Sequence, residues 1–243
     1  MIMLSTARMR PPAAGFLADV SGAAAHFDAP FVPVTLADHL QAIQSYGARQ
    51  HYRRNEAIFN QDDPADQVYR IVDGTARLCR HMPDGRRCIV DFLLPGDVMG
   101  FVESTDQSVS AEAVTEISLI AYPRVCFDRL ARENADARKQ LLCHMSANLL
   151  TAQQHLFVLG CQKAEERVAS FLLRLADRLD VLCGDPVDVA MSRQDIADHL
   201  GLTIETISRA ITALRGAGII LVPNAHQLVL RNVAALRTLA AEG

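Results

Sequence analysis

Three polar side chains towards the C-terminus, Glu205, Ser208 and Arg209, stand at i, i+3 and i+4. In a helix that spacing puts them on one face within little more than a turn. Their chemistry is that of base reading. A guanidinium gives two hydrogen bonds to guanine O6 and N7, a carboxylate accepts from cytosine N4 or adenine N6, and a hydroxyl donates to a base or phosphate or lies against a thymine methyl. Catalytic chemistry has no comparable signal: no HExxH, Walker A loop, GxSxG or GxGxxG occurs, so no catalytic residue is expected and the chain is not read as an enzyme.

The elements that must position the trio are written around it. Ser192-Arg193-Gln194-Asp195 opens a helix, with Ser192 as its cap and Asp195 in its first turn. This helix runs through Ile196, Ala197 and Leu200 and ends at Gly201; Thr203 caps a second helix whose apolar stripe is Ile204, Ile207, Ile211 and Leu214. Helices joined so closely cross steeply, and Ala197 with Gly201 four residues later leaves room for the crossing. The pattern is a helix-turn-helix, whose second helix enters the DNA major groove. Ser192, Arg193, Thr203 and Thr206, at the two helix starts, are expected against the DNA backbone. The runs Ile219 to Val222 and Gln227 to Leu230, joined through Pro223-Asn224-Ala225-His226, read as the β-hairpin of a wing.

Upstream, residues 135–163 hold no proline and one glycine, Gly160, which predicts a rod of about 43 Å at about 1.5 Å per residue. Its apolar positions Leu142, Met145, Leu149, Ala152, Leu156 and Leu159 alternate by three and four, the a/d seam of a coiled coil, so a parallel homodimer is expected. Leu141, Leu150 and Val158 flank the seam and are available to pack on the chain's own β domain. Between His51 and Tyr122, Gly74, Pro83-Asp84-Gly85, Pro95-Gly96 and Gly100 separate short runs such as Val68 to Val72 and Arg87 to Leu94, which predicts an antiparallel sandwich or roll. The expected fold class is α+β. It divides into an N-terminal arm (1–32) leading to a short helix near Leu36 to Tyr46, an antiparallel β-roll domain (33–134), a dimerisation helix (135–163) and a winged helix-turn-helix domain (164–243).

Net charge is -4 over 243 residues, which excludes a protein that coats nucleic acid by bulk positive charge. Residues 191–237 alone carry five arginines against Asp195, Asp198 and Glu205, a net of +2. No apolar run is long enough for a membrane helix and no signal core follows Arg8 and Arg10, so a cytoplasmic location without membrane contact is expected. The six cysteines are widely scattered with no CxxC, giving no metal site and no disulfide framework.

Leu200-Gly201-Leu202-Thr203-Ile204-Glu205-Thr206-Ile207-Ser208-Arg209 resembles the recognition segment of the CRP/FNR family of bacterial transcription regulators, and the Glu-x-x-Ser-Arg trio within it resembles the FNR and FixK branches. Leu94-Pro95-Gly96-Asp97-Val98-Met99-Gly100-Phe101 is similar to that family's effector-domain turn. The resemblance implies a jelly-roll, cyclic-nucleotide-binding-like sensor domain, a dimer whose two recognition helices read a palindrome of TTGAT and its inverted copy ATCAA, recruitment of RNA polymerase, and activation of genes responding to low oxygen.

Family effectors are narrowed by particular residues. Asp97 stands where cyclic AMP binders carry Glu, and from Phe101 to Tyr122 there is no Lys or Arg to meet a cyclic phosphate, only Glu103, Asp106, Glu112 and Glu116. An N-terminal arm without cysteine cannot hold an iron-sulfur cluster with Cys126 alone. No cofactor is therefore expected, which resembles the FixK branch. The alternative is a sensor gated by haem, nitric oxide or another small ligand in the roll, with His51, His81 and Cys79 as the available axial ligands. Cys183, in Asp180-Val181-Leu182-Cys183-Gly184-Asp185, is the redox candidate: oxidation to a sulfinate or sulfonate there adds negative charge near DNA phosphates.

Overall fold

Glycine-placed turns set the strands of the N-terminal half. The computed structural model describes residues 41–101 and 104–241. The arm at 1–32, the first part of the helix expected near Leu36 to Tyr46, and Glu103 lie outside these residues. What is described of that helix, Gln41–Tyr46, is a 3-10 helix. Eight strands follow: β1 (Ala48–Tyr52), β2 (Ala57–Phe59), β3 (Gln67–Asp73), β4 (Ala76–His81), β5 (Arg87–Leu93), β6 (Val98–Met99), β7 (Ser110–Ala113) and β8 (Ile117–Pro123). Gly74, between β3 and β4, has φ +87°, and a Cβ there would sit 2.4 Å from the Glu116 carbonyl oxygen, so only glycine makes this turn.

The strands form two antiparallel four-stranded sheets, ordered β1-β8-β3-β6 and β2-β7-β4-β5. Between them Tyr69, Ile71, Ala76, Leu93, Ala111, Ala113, Ile117 and Leu119 make the core of the roll, as the alternation of inward residues requires. The first sheet is backed by helix α1 (Arg124–Glu133), where Phe127 packs on Tyr122 and Val68. The second sheet also buries its outer face. A β-bulge between Leu78 and Cys79 in the β4–β5 register shifts the alternation of β5, so that Ile89, Phe92 and Leu94 all join the C-terminal core.

Helix α2 (Ala135–Cys161) is the expected rod, with the Asn134 side chain accepting from the Ala137 amide at its start. Only Ala137 of its residues is buried. Leu142, Leu149 and Leu156 are 59 to 68% exposed, and Met145 and Ala152 are exposed with them, while Leu159 is half-buried. Of the flanking positions, Leu141 packs beside Phe127, Leu150 is exposed and Val158 is half-buried.

The C-terminal part comprises α3 (Ala164–Arg178), β9 (Pro186–Asp188), α4 (Arg193–Leu200), α5 (Ile204–Gly216), β10 (Ile220–Asn224), β11 (Gln227–Leu230) and α6 (Val233–Ala241). The wing hairpin β10–β11 is joined by β9 into a three-stranded antiparallel sheet. An α+β chain with an antiparallel roll, a long helix and a winged helix-turn-helix is thus what the structure has. No described helix is long and apolar enough to cross a membrane.

Candidate nucleic-acid interface

Local capping writes both helices of the helix-turn-helix. The Ser192 hydroxyl accepts from the Asp195 amide at 3.1 Å and donates to Asp195 Oδ2 at 2.7 Å, while the Ser192 amide donates to the same oxygen, a complete capping box for α4. Thr203 Oγ1 accepts from the Thr206 amide at 3.2 Å and caps α5. Gly201 between them has φ +63°, but a Cβ there would meet nothing closer than 3.8 Å. Its role is therefore the left-handed turn, while Ala197, the other small residue, is fully buried.

The buried stripe of α5 is Ile207, Ala210, Ile211 and Leu214. Ile204, expected in the stripe, is instead 38% exposed at the first position of the helix. Glu205, Ser208 and Arg209 all lie exposed on the opposite face. Ser208 Oγ donates to the Ile204 carbonyl at 2.8 Å, so in this rotamer it presents a lone pair outward, not a proton. Thr203 is exposed and its Oγ1 lies 3.0 Å from Thr206 Oγ1, while Ser192, Arg193 and Thr206 are half-buried. Burial alone pushes the Arg193 guanidinium below its ordinary pKa.

While the polar face of α5 is open, α4 is docked on the roll. Arg77 of β4 places Nη1 3.0 Å from Asp195 Oδ1, and Arg87 of β5 reaches both Asp195 and Asp198 at 2.7 Å. His199 is buried, and its Nδ1 is 3.0 Å from the Ile89 carbonyl while Arg174 Nη2 approaches Nε2 at 2.8 Å. Arginine only donates, so Nε2 accepts and the proton sits on Nδ1: His199 is neutral. Burial, with Arg174 and His155 adding to it, pushes its pKa well below the ordinary histidine value. On the same surface Arg178 pairs with Asp97 of the effector-domain turn and donates to the Phe92 carbonyl at 2.7 Å, and Arg174 lies 3.4 Å from Asp91. Burial raises the Asp97 pKa although Arg178 opposes it.

None of these cross-domain partners is signalled by local sequence. Asp195 reads as a cap, yet roll arginines pair with both it and Asp198, two of the three acids counted against the five arginines of residues 191–237. Cys183 is exposed in the turn between α3 and β9, its Sγ donating to the Leu230 carbonyl at 3.4 Å. Of the residues named as axial ligands, Cys79 and His81 lie together, Sγ and Nε2 3.6 Å apart, but His51 does not join them. His51 lies on β1, bonded to Ser118 at 2.7 Å, in a different sheet from Cys79 and His81 on β4.

Comparison with known proteins agrees with this geometry. Residues 166–239 match a Crp-like helix-turn-helix domain and residues 49–134 a cyclic nucleotide-binding domain. The chain is 42% identical over 202 residues to the nitrogen fixation regulation protein FixK of Azorhizobium caulinodans, covering 82% of each. It is 41% identical over 195 residues to the transcriptional activatory protein AadR of Rhodopseudomonas palustris, covering 77% of this chain and 80% of that one. The solved structure of FixK2 from Bradyrhizobium japonicum superposes with a TM-score of 0.76 at 38% identity, over 79% of this chain and 96% of that one. With both domains and about four-fifths of the length of such curated relatives matched, the chain belongs to the CRP/FNR family of DNA-binding transcription regulators, in its FixK-like branch.

Proposed function

We propose that the protein is a homodimeric transcription activator of low-oxygen-responsive genes that binds TTGAT-N4-ATCAA-like palindromes and recruits RNA polymerase. The roll (33–134) acts as the sensor-like domain, 135–163 as the dimerisation helix and 164–243 as the DNA-reading domain. One observation carries this reading: Glu205 and Arg209 stand together on the open face of a helix capped by Thr203, whose other face is buried. In the major groove Arg209 donates to guanine, Glu205 accepts from the base opposite, and Ser208 offers an acceptor or turns to donate. Ser192, Arg193, Thr203 and Thr206 border the phosphates; the hydroxyl proton of Ser192 is already given to Asp195, which leaves its rim position rather than its donor as its contribution. The seam of exposed Leu142, Met145, Leu149, Ala152 and Leu156 with half-buried Leu159 is the surface a second copy covers. Activation is supported by the named roles of the FixK and AadR relatives.

No cyclic nucleotide or iron-sulfur effector belongs to this reading. Asp97 is held by Arg178, and Glu112 faces the outer side of β7, held by Arg77 at 2.6 Å, so its charge does not act inside the roll; what speaks against a cyclic phosphate is that no Lys or Arg stands between Phe101 and Tyr122. Exposed Cys183 lies beside the wing strand β11, where oxidation to a sulfinate or sulfonate lowers DNA affinity.

The test is a fluorescence titration on a TTGAT-N4-ATCAA duplex and a scrambled one, at two salt concentrations, with and without thiol reductant. The palindrome is expected to bind at least about a thousandfold tighter. Equal affinity for both duplexes overturns the half-site. After peroxide treatment the wild type loses affinity and Cys183→Ser keeps it; equal losses remove Cys183 from the mechanism.

A further inference from the structure

On the outer face of the second sheet, three potential metal ligands converge next to the docking arginines. Cys79 and His81 are i and i+2 on β4 and share one face, and Glu112 lies on the same side of the neighbouring β7, opposite Arg77. His81 Nε2 is 3.6 Å from Cys79 Sγ and 2.9 Å from Glu112 Oε1, and all three donor atoms lie within 4.8 Å of one another. A tetrahedral zinc ion, with bonds of about 2.3 Å to sulfur and about 2.0 Å to nitrogen, holds such a sulfur–nitrogen pair about 3.6 Å apart. The donor spacing is that of a site needing only a small turn of the Glu112 carboxylate.

We infer that Cys79, His81 and Glu112 form a binding site for a thiophilic divalent cation of the zinc class. Thiolate, imidazole and carboxylate together suit zinc, and not magnesium or calcium, which take oxygen ligands. Access is through His81, whose side chain is 54% exposed, whereas Cys79 is fully buried. Three protein donors leave a fourth position for water on that open side.

Electrostatics around the site favour a cation. Arg77 and Arg87 are matched against Glu112, Asp195 and Asp198, so these ion-paired groups hold one excess negative charge. Adding a divalent ion and converting the Cys79 thiol to thiolate brings the group to neutrality. Glu112 divides its oxygens in the required way. Oε2 takes Arg77, with Nε at 2.8 Å, and Oε1 is left for His81 or for the ion. Arg77 then acts as the outer partner that fixes the ligating carboxylate. Without an ion, burial first and Glu112 second push the Cys79 thiol up to about 12, so it is protonated at neutral pH; a bound cation supplies the charge that deprotonates it.

Cobalt(II), which replaces zinc in such sites and absorbs in the near ultraviolet when a thiolate binds it, tests the site without reference to DNA. It is titrated anaerobically into the reduced, chelator-treated full-length protein. One equivalent is expected to develop the thiolate band, and zinc to displace it. Cys79→Ser should abolish the band, and His81→Ala, at an exposed strand end, should weaken affinity at least about tenfold. A wild type with no band overturns the site. So does an equal band in folded Cys79→Ser, which assigns the thiolate to Cys88, Cys143, Cys161 or Cys183. If Cys79→Ser does not fold, unchanged cobalt affinity in His81→Ala overturns it instead.

Discussion

Arg77 of the roll and Asp195 of the first helix-turn-helix helix are ion-paired at 3.0 Å with both side chains more than nine-tenths buried. Asp195 is also the residue that completes the Ser192 capping box, so one carboxylate both starts the helix and fastens it to the roll. Loosening the domain contact therefore also loosens the start of the helix that precedes the reading helix.

Replacing Arg77 by Ala leaves Asp195 and Glu112 buried with fewer partners. Removing one member of a buried pair costs about 3 to 5 kcal/mol, and the remaining Arg87 contacts bring the expected loss to about 2 to 4 kcal/mol. Burial would raise the Asp195 pKa, but the Ser192 hydroxyl and amide, with Arg77 and Arg87, outweigh it and hold the carboxyl below its usual range. A depressed carboxylate stabilises fully above its unfolded value of about 3.9, and that stabilisation is lost as pH falls through the lower folded value. Urea midpoints of wild type and Arg77→Ala should thus differ most near neutrality and converge in acid; a constant difference removes the ion pair as the cause.

His199 gives a second pH signature. It is held neutral between the Ile89 carbonyl and Arg174, with its pKa well below the ordinary value. A depressed histidine stabilises above its unfolded pKa of about 6.5 and loses that contribution as pH falls towards the folded value. His199→Ala, which removes a buried ring and two hydrogen bonds, should cost about 2 to 4 kcal/mol at pH above about 7. Its deficit relative to wild type should shrink on acidification below about 6.5, read from denaturant midpoints. A deficit independent of pH would mean that the ring contributes by packing alone.

Legibility in the sequence follows the range of the interaction. Caps, the Gly201 turn and the period of α2 are local, so Ser192, Thr203 and the long helix could be read directly. Glu205, Ser208 and Arg209 follow from helical phase once those caps fix the frame. Ile204 was misplaced because phase alone does not show which end of a stripe stays exposed. The strand β9 has three residues, too few for its exposed–buried–exposed alternation to reveal it. Arg77 and Asp195 are 118 residues apart, and Glu112 is 31 from His81, so neither the docking network nor the Cys79 cluster leaves a mark in spacing. The outer face of the second sheet is buried too, which made β5 read as a continuous apolar run without saying what covers it.

The open seam of α2 predicts the behaviour of a single charge. Leu149 is 61% exposed and contacts no core cluster of the described residues, so Leu149→Asp should leave the fold of one chain intact. At the centre of a heptad seam it places like charges opposite each other and should convert dimer to monomer by sedimentation. Because linking two half-site contacts raises affinity by about a hundredfold to ten-thousandfold, palindrome binding should fall by a comparable factor. An unchanged sedimentation coefficient would move the interface away from this seam.

Arg209 and Glu205 offer the sharpest discrimination on the reading face. If Arg209 donates bidentately to the half-site guanine, Arg209→Ala should lose about 1 to 3 kcal/mol on the palindrome and much less on a duplex altered at that guanine. Lysine keeps the charge but not the planar fork, so Arg209→Lys should preserve the salt dependence of binding while still losing preference for guanine. Glu205→Ala should relax the opposite base without reducing the number of phosphate contacts counted by the salt slope. Duplexes varied one base pair at a time check all three variants together. A uniform loss across every sequence would make Arg209 a phosphate ligand and transfer base reading to another part of α5.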